Sequence, residues 1–252
     1  MRTVPKLVAY SFSCLILITL SLCFPSSAKA DQLIVNGGFE TGTFAGWTVA
    51  NRAGSFPGSS FYVIAGTVLP QSGMTTVGPA SGTFYAVTDQ VGAGTHSLLQ
   101  TFVVAPGSGS VILSFDLFAN NYATTIVNPI GLDHSDGPNQ HARVDILTSG
   151  AGAFDTGAGV LQNLFISADG GTNPHPYTHY VFDITSVVGA GGTFQIRFAE
   201  VDNQFFFNLG VDNVSIVTQN GPIPEPATML LLGTGLAGVF GVVRKRYAAS
   251  RN

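Results

Sequence analysis

The chain has 252 residues and a formal net charge of −4, and charged residues make up only 10 % of it. Between residues 31 and 221 the imbalance is larger: Arg52, Arg143 and Arg197 stand against 13 aspartates and glutamates with no lysine, so three positives and 13 negatives give −10. So acidic a segment repels phosphate backbones, which excludes nucleic acid as a partner. Most of these acids are expected on a solvated surface, and some suit divalent cations, which take oxygen ligands.

In chain order, the first element is a leader. Arg2 and Lys6 precede an apolar stretch that runs to about Phe24, and "SSAKA" follows with Ala28 and Ala30 at the small-residue positions. This is the order of a secretory signal peptide over residues 1–30, with cleavage expected after Ala30. A lipoprotein would need a small residue before its cysteine, and Cys23 follows Leu22. Cys14 and Cys23 both fall in the leader, so the exported part is expected to fold without a disulfide and to depend on a sizeable core. About 190 residues then remain before the tail, enough for one domain over 31–221.

That domain reads as strands. The runs are 32–35, 47–50, 61–65, 84–88, 97–104, 111–119, 142–148, 177–185, 193–200 and 211–217, rich in β-branched and aromatic residues and separated by glycine and proline. In 193–200 the alternation places Phe194, Ile196 and Phe198 on one face and Gln195 and Arg197 on the other. No long 3.6-residue period and no internal repeat occurs. The expected fold class is all-β, a single jelly roll or β-sandwich.

The opening stretch "LIVNGGFETGTFAGWTV" (33–49) and the closing "LGVDNVSIV" (209–217) resemble the two ends of the galactose-binding-like jelly rolls found in many carbohydrate-binding modules. The resemblance implies that the two ends lie together and build a structural calcium site, with Glu40 and Asp212 at the matching positions. Read by themselves, Gly37 and Gly38 permit the positive φ of a tight turn. Phe39 and Trp47 are expected as core anchors, with ligand stacking the alternative for Trp47.

Nucleophile and metalloprotease patterns are absent: there is no G-x-S-x-G, no H-E-x-x-H and no cysteine after residue 30. His175 and His179 have a metal spacing only on a helix, and Pro174 and Pro176 argue against one. The polar loop "GLDHSDGPNQH" (131–141) is expected at the surface, with sugar or calcium contact as the alternative. Nothing in the spacing selects a carboxylate pair for glycoside hydrolysis. The chain is therefore expected not to be an enzyme.

The last element is "PIPEPATMLLLGTGLAGVFGVVRKRY" (222–247). Ala227 to Val243 is uncharged and would make a helix of roughly 26 Å, at the lower limit for a transmembrane span. Arg244, Lys245 and Arg246 then stay on the cytoplasmic side. "GTGLAG" (233–238) matches a dinucleotide-binding pattern, but it lies inside the apolar run without the required strand or acid. Pro224, Glu225 and Pro226, the apolar helix and the basic cluster together resemble the PEP-CTERM sorting tail of exported bacterial proteins. The resemblance implies an exosortase-type processing enzyme as partner, with anchoring of residues 222–252 through the helix before processing. The combined expectation is a surface or extracellular-matrix protein that binds carbohydrate, with extracellular polysaccharide as partner. A purely structural adhesion role and a polysaccharide hydrolase are the alternatives.

Overall fold

The computed structural model describes residues 30–123, 131–167 and 172–219. The leader before residue 30 and the 227–243 helix lie outside the described residues. Among the described residues, no helix is long and apolar enough to cross a membrane.

Eleven strands are described: β1 (Ala30–Gln32), β2 (Thr48–Asn51), β3 (Ser60–Ile64), β4 (Tyr85–Asp89), β5 (Gly94–Val104), β6 (Ser110–Asn121), β7 (His141–Thr148), β8 (Val160–Ser167), β9 (Thr178–Asp183), β10 (Gly192–Asp202) and β11 (Phe207–Gln219). One short helix, α1 (Thr185–Val188), follows β9. They form two sheets, all pairings antiparallel. The first sheet has the order β3-β4-β11-β6-β9, with β1 also on β11, and the second has the order β2-β5-β10-β7-β8. From β4 onward, apart from the neighbouring β7 and β8 of the second sheet, the chain alternates between sheets, so each inner face is assembled from residues distant in sequence.

The alternation of apolar residues explains the stacking. Ile196 and Phe198 of β10, Leu98 and Phe102 of β5, and Val144 and Ile146 of β7 point inward from the second sheet. They meet Leu113, Phe115 and Leu117 of β6 and Leu209 and Val211 of β11. Phe115 and Phe198 meet edge to face across the sandwich at 5.2 Å. Each such fully buried side chain contributes about 1.5–3 kcal/mol, which is how a domain without disulfides holds together.

The outer faces are not bare. On the first sheet Tyr85, Val87 and Phe118 lie under Leu69 of the 65–79 segment. On the second, Ala199 and Val201 lie under Leu132 and Phe154 from the 131–140 and 149–159 loops. Arg197, expected on the face opposite Phe198, does point that way, yet these loops bury it completely.

Two elements escaped the sequence reading. β8 lacks a clean two-residue alternation because its pairing with β7 shifts register twice, between Val144 and Asp145 and between Ile146 and Leu147. α1 is a single turn, too short to show a period. Its Thr185 Oγ1 accepts from the Val111 N–H at 2.8 Å, which fixes the start of β6.

Candidate functional site

The first and last strands meet at one corner. The Leu33 N–H donates to Ile216 O at 2.8 Å and the Val214 N–H to Gly37 O at 2.9 Å. Trp47 is a core anchor: its ring lies 5.5 Å from Phe39 and 6.1 Å from Phe198, and its Nε1 donates to Asn36 O at 3.1 Å. The turn itself differs from expectation. Positive φ falls on Asn36 (53°) and Phe39 (57°), while Gly37 and Gly38 have ordinary φ. Gly37 is required for space, since a Cβ there would stand 1.9 Å from Val214 O.

Glu40 and Asp212 are brought to this corner, on either side of the 80–84 turn. Glu40 accepts from Thr83 N (3.0 and 3.1 Å) and Phe84 N (3.1 Å). Asp212 accepts from Ala80 N (2.9 Å), Ser81 N (3.1 Å) and Asn213 N (2.7 Å). A Cβ on Gly38 would lie 3.8 Å from Asp212 Oδ1 and 3.9 Å from Glu40 Cγ, so both side chains approach one glycine-lined point. A carboxylate offers about four lone-pair sites, and these contacts leave one free on Asp212 Oδ1 and one on Glu40 Oε2. Each carboxylate thus keeps one acceptor position, while the 80–84 turn and the Asn213 N–H take up the others. Burial pushes the Asp212 carboxyl up to about 6, a shift that a bound cation would oppose. No group of three or more His, Cys, Asp or Glu among the described residues is arranged to hold a metal ion. A cation here would complete its shell with carbonyls and water.

The histidines and the polar loop separate. His179 on β9 is exposed and pairs through Nδ1 with Asp116 at 2.7 Å. The His175 backbone N–H donates to Asn120 Oδ1 at 2.8 Å, and its buried Nε2 has no partner. Loop 131–141 is tied down at several points. Asn139 Nδ2 donates to Gly131 O (2.8 Å) and Asp133 O (3.0 Å), Asp133 pairs with Arg52, and Asn203 Nδ2 donates to His134 O at 2.8 Å.

Several acids are interior rather than solvated. Asp145 accepts from both Arg143 and Arg197. Burial pushes its carboxyl up, but the two guanidinium groups more than offset this and hold it below the usual carboxylate range. Glu200 is fully buried with neither carboxyl oxygen hydrogen-bonded, and its Oε1 lies 3.8 Å from the equally buried, unpartnered His96 Nε2. Burial, then the charge of Asp202, raises Glu200 well above the ordinary range. Burial also pushes Asp202 up to about 8 and His96 down to about 4.

Asp202 lies on the wall of a concavity. This is a cleft of about 220 Å³ between the β4–β5 turn and the β10–β11 turn, lined among others by Val91, Gly92, Asp202 and Phe205. Its lining includes two exposed apolar side chains: Phe205 is 55 % exposed and Val91 43 %. The Phe56 ring packs against Gly92 of the lining, where an added Cβ would come within 2.4 Å of it. The sequence reading missed this site. The signal was the run Phe205-Phe206-Phe207: a strand buries alternate residues, so three consecutive aromatics at a strand start leave at least one outward.

Comparison with known proteins bears on the tail. No curated protein matches the chain. Among solved structures it is similar to TmCBM61 in complex with β-1,4-galactotriose, at 11 % identity and a TM-score of 0.46 over 75 % of this chain and 99 % of that one. The K3 cleaved adhesin domain of Lys-gingipain from Porphyromonas gingivalis shares 15 % identity, with a TM-score of 0.45 over 75 % and 99 %. The CBM22-1 xylan-binding domain of Paenibacillus barcinonensis Xyn10C shares 13 %, with a TM-score of 0.43 over 78 % and 99 %. Residues 222–246 match the family model of the PEP-CTERM protein-sorting motif. The proline pair, the apolar run and the basic cluster 244–246 all fall within that match, and the chain therefore carries a PEP-CTERM protein-sorting motif.

Proposed function

We propose that this is an exported protein, sorted by an exosortase through residues 222–246, whose jelly-roll domain binds extracellular polysaccharide at the cleft beside Asp202. In this reading the leader over 1–30 directs export, and the 227–243 helix anchors the chain until processing. The cleft carries the binding part: exposed Phe205 offers a ring on which the apolar face of a sugar can stack, and Asp202 offers a buried hydrogen-bonding group. The sugar-binding proteins among the similar structures accord with it. A binding role is favoured over hydrolysis because Glu200, the nearest second acid on the same strand face, has no exposed surface and cannot reach a substrate. The test is a pull-down of the full-length protein with insoluble polysaccharides. Phe205→Ala should lower the bound fraction at least about fivefold, and unchanged retention would remove the cleft from this account.

We also propose that Glu40 and Asp212 hold a structural calcium ion at the corner of the first and last strands. Free calcium at 100 times its dissociation constant would add about 2.7 kcal/mol, or about 5–10 °C in melting temperature. The gain should vanish in chelator and in Glu40→Gln and Asp212→Asn. Identical melting of the unaltered protein in calcium and in chelator counts against the ion.

A further inference from the structure

We propose that the cleft beside Asp202 takes a sugar ring bearing a protonated amine, so that the recognised polysaccharide is an amino-sugar polymer rather than a neutral or acidic one. This rests on the polysaccharide-binding reading above and narrows it to one ligand chemistry.

Charge complementarity favours such a ring. All three arginines of the domain are already engaged, Arg52 by Asp133 and both Arg143 and Arg197 by Asp145. Glu200 and Asp202 stand two residues apart on the same face of β10, opposite His96 and Gly94 of β5. Among the described residues no arginine reaches either of them, and the contact nearest to an ion pair is the 3.8 Å approach of His96 to Glu200. Two carboxyls buried side by side cannot both ionise without an outside cation. Asp202 accepts from the Gly94 N–H at 3.0 Å, is 3 % exposed and lines the cleft, so the cleft is the side from which an outside cation would reach it.

The rim points the same way. Phe205 lines the cleft and is exposed, and a cation close to an aromatic face is attracted by the ring quadrupole. A uronate or sulfated sugar would bring a further negative charge against a domain whose sum is −10 and which has no free arginine to receive it. The size sets how much of the polymer enters. At about 220 Å³ the cleft is below the roughly 300 Å³ at which ligand pockets usually begin. It therefore holds one ring, with neighbouring sugars lying over the rim.

The experiment is calorimetric titration of the full-length protein with three hexamers sharing one β-1,4 backbone: glucosamine, N-acetylglucosamine and glucose. It is run near pH 6 and repeated at about 0.5 M salt, where attraction between exposed charges is largely screened and that of a buried pair much less so. The glucosamine hexamer should bind at least about tenfold tighter than the other two, at both salt concentrations. Asp202→Asn should bring the three affinities together while leaving neutral binding in place. Phe205→Ala, an exposed change that leaves the core intact, should weaken all three. Equal or tighter binding of the glucose or N-acetylglucosamine hexamer sinks the amine proposal and leaves polysaccharide binding standing. Binding of none of the three removes both. A glucosamine preference that disappears in salt or survives Asp202→Asn belongs to the acidic surface and overturns the proposal. Should Asp202→Asn fail to fold, glucosamine binding unaffected by Phe205→Ala has the same consequence.

Discussion

At position 37 the backbone of β11 comes so close that a single methyl group decides stability. The Gly37 carbonyl accepts from the Val214 N–H at 2.9 Å, and an added Cβ would stand 1.9 Å from Val214 O. Backbone cannot rotate out of the way as a side chain can. Gly37→Ala should therefore cost about 1–3 kcal/mol, as overpacked interiors do, seen as a lower midpoint in chemical denaturation. Gly38→Ala is the control, because the nearest atoms to a Cβ there lie at 3.8 Å. Equal losses in the two variants would show that the turn, and not the close approach, is responsible. The sequence made both glycines conspicuous. It did not tell them apart, because the clash comes from a strand some 177 residues away.

Among the elements, β10 carries the most unusual chemistry. Its inward row runs from Phe194 through Ile196 and Phe198 to Glu200 and Asp202, so apolar packing gives way to two acids at the cleft end. Both are raised above ordinary carboxylates by burial, Asp202 to about 8. Groups raised in the folded state contribute stability that is present at low pH and lost as pH rises through the folded value. His96 and His141 run the other way, both pushed down to about 4, chiefly by burial. Their contribution is present above about 6.5 and is lost as pH falls toward 4. The melting temperature should therefore rise as pH falls from about 9 to about 6.5 and level off toward 4, where the two histidine losses offset the continuing gain from Glu200, Asp202 and Asp212. Asp202→Asn should flatten the alkaline side. A profile of unchanged slope in that variant would mean that Asp202 is ionised throughout, against the burial seen here.

At the scale of the molecule, an acidic sandwich and a sorting motif at 222–246 share one chain. Pro224 and Pro226 flank Glu225 within the motif, and proline disfavours helix at its own position and the one before it. The expected outcome is that protein from a host with the processing enzyme lacks the residues beyond about Glu225. From a host without it, the protein should stay membrane-bound with its C-terminus intact. Mass spectrometry of both preparations decides it, and an intact C-terminus in the processing host would falsify cleavage.

The sequence by itself determined what depends on neighbouring residues. The sorting motif is contiguous, the two-residue alternation of β5, β6, β7 and β10 is local, and the surplus of acids over three arginines is a count. Those features specify strands and a charged character without reference to any partner. What only the tertiary structure decided is where the charges went. Gly94 N donates to Asp202 Oδ1 across 108 residues, and Arg197 meets Asp145 across 52. Glu40 and Asp212 were placed together on resemblance, and the 80–84 turn that separates them was not legible. Loops 131–141 and 149–159 cover a sheet face that alternation alone marks as solvent-facing. Burial is set by which strands become neighbours and which loops fold over them, and pairing at such separations leaves no local pattern for a periodic reading to find.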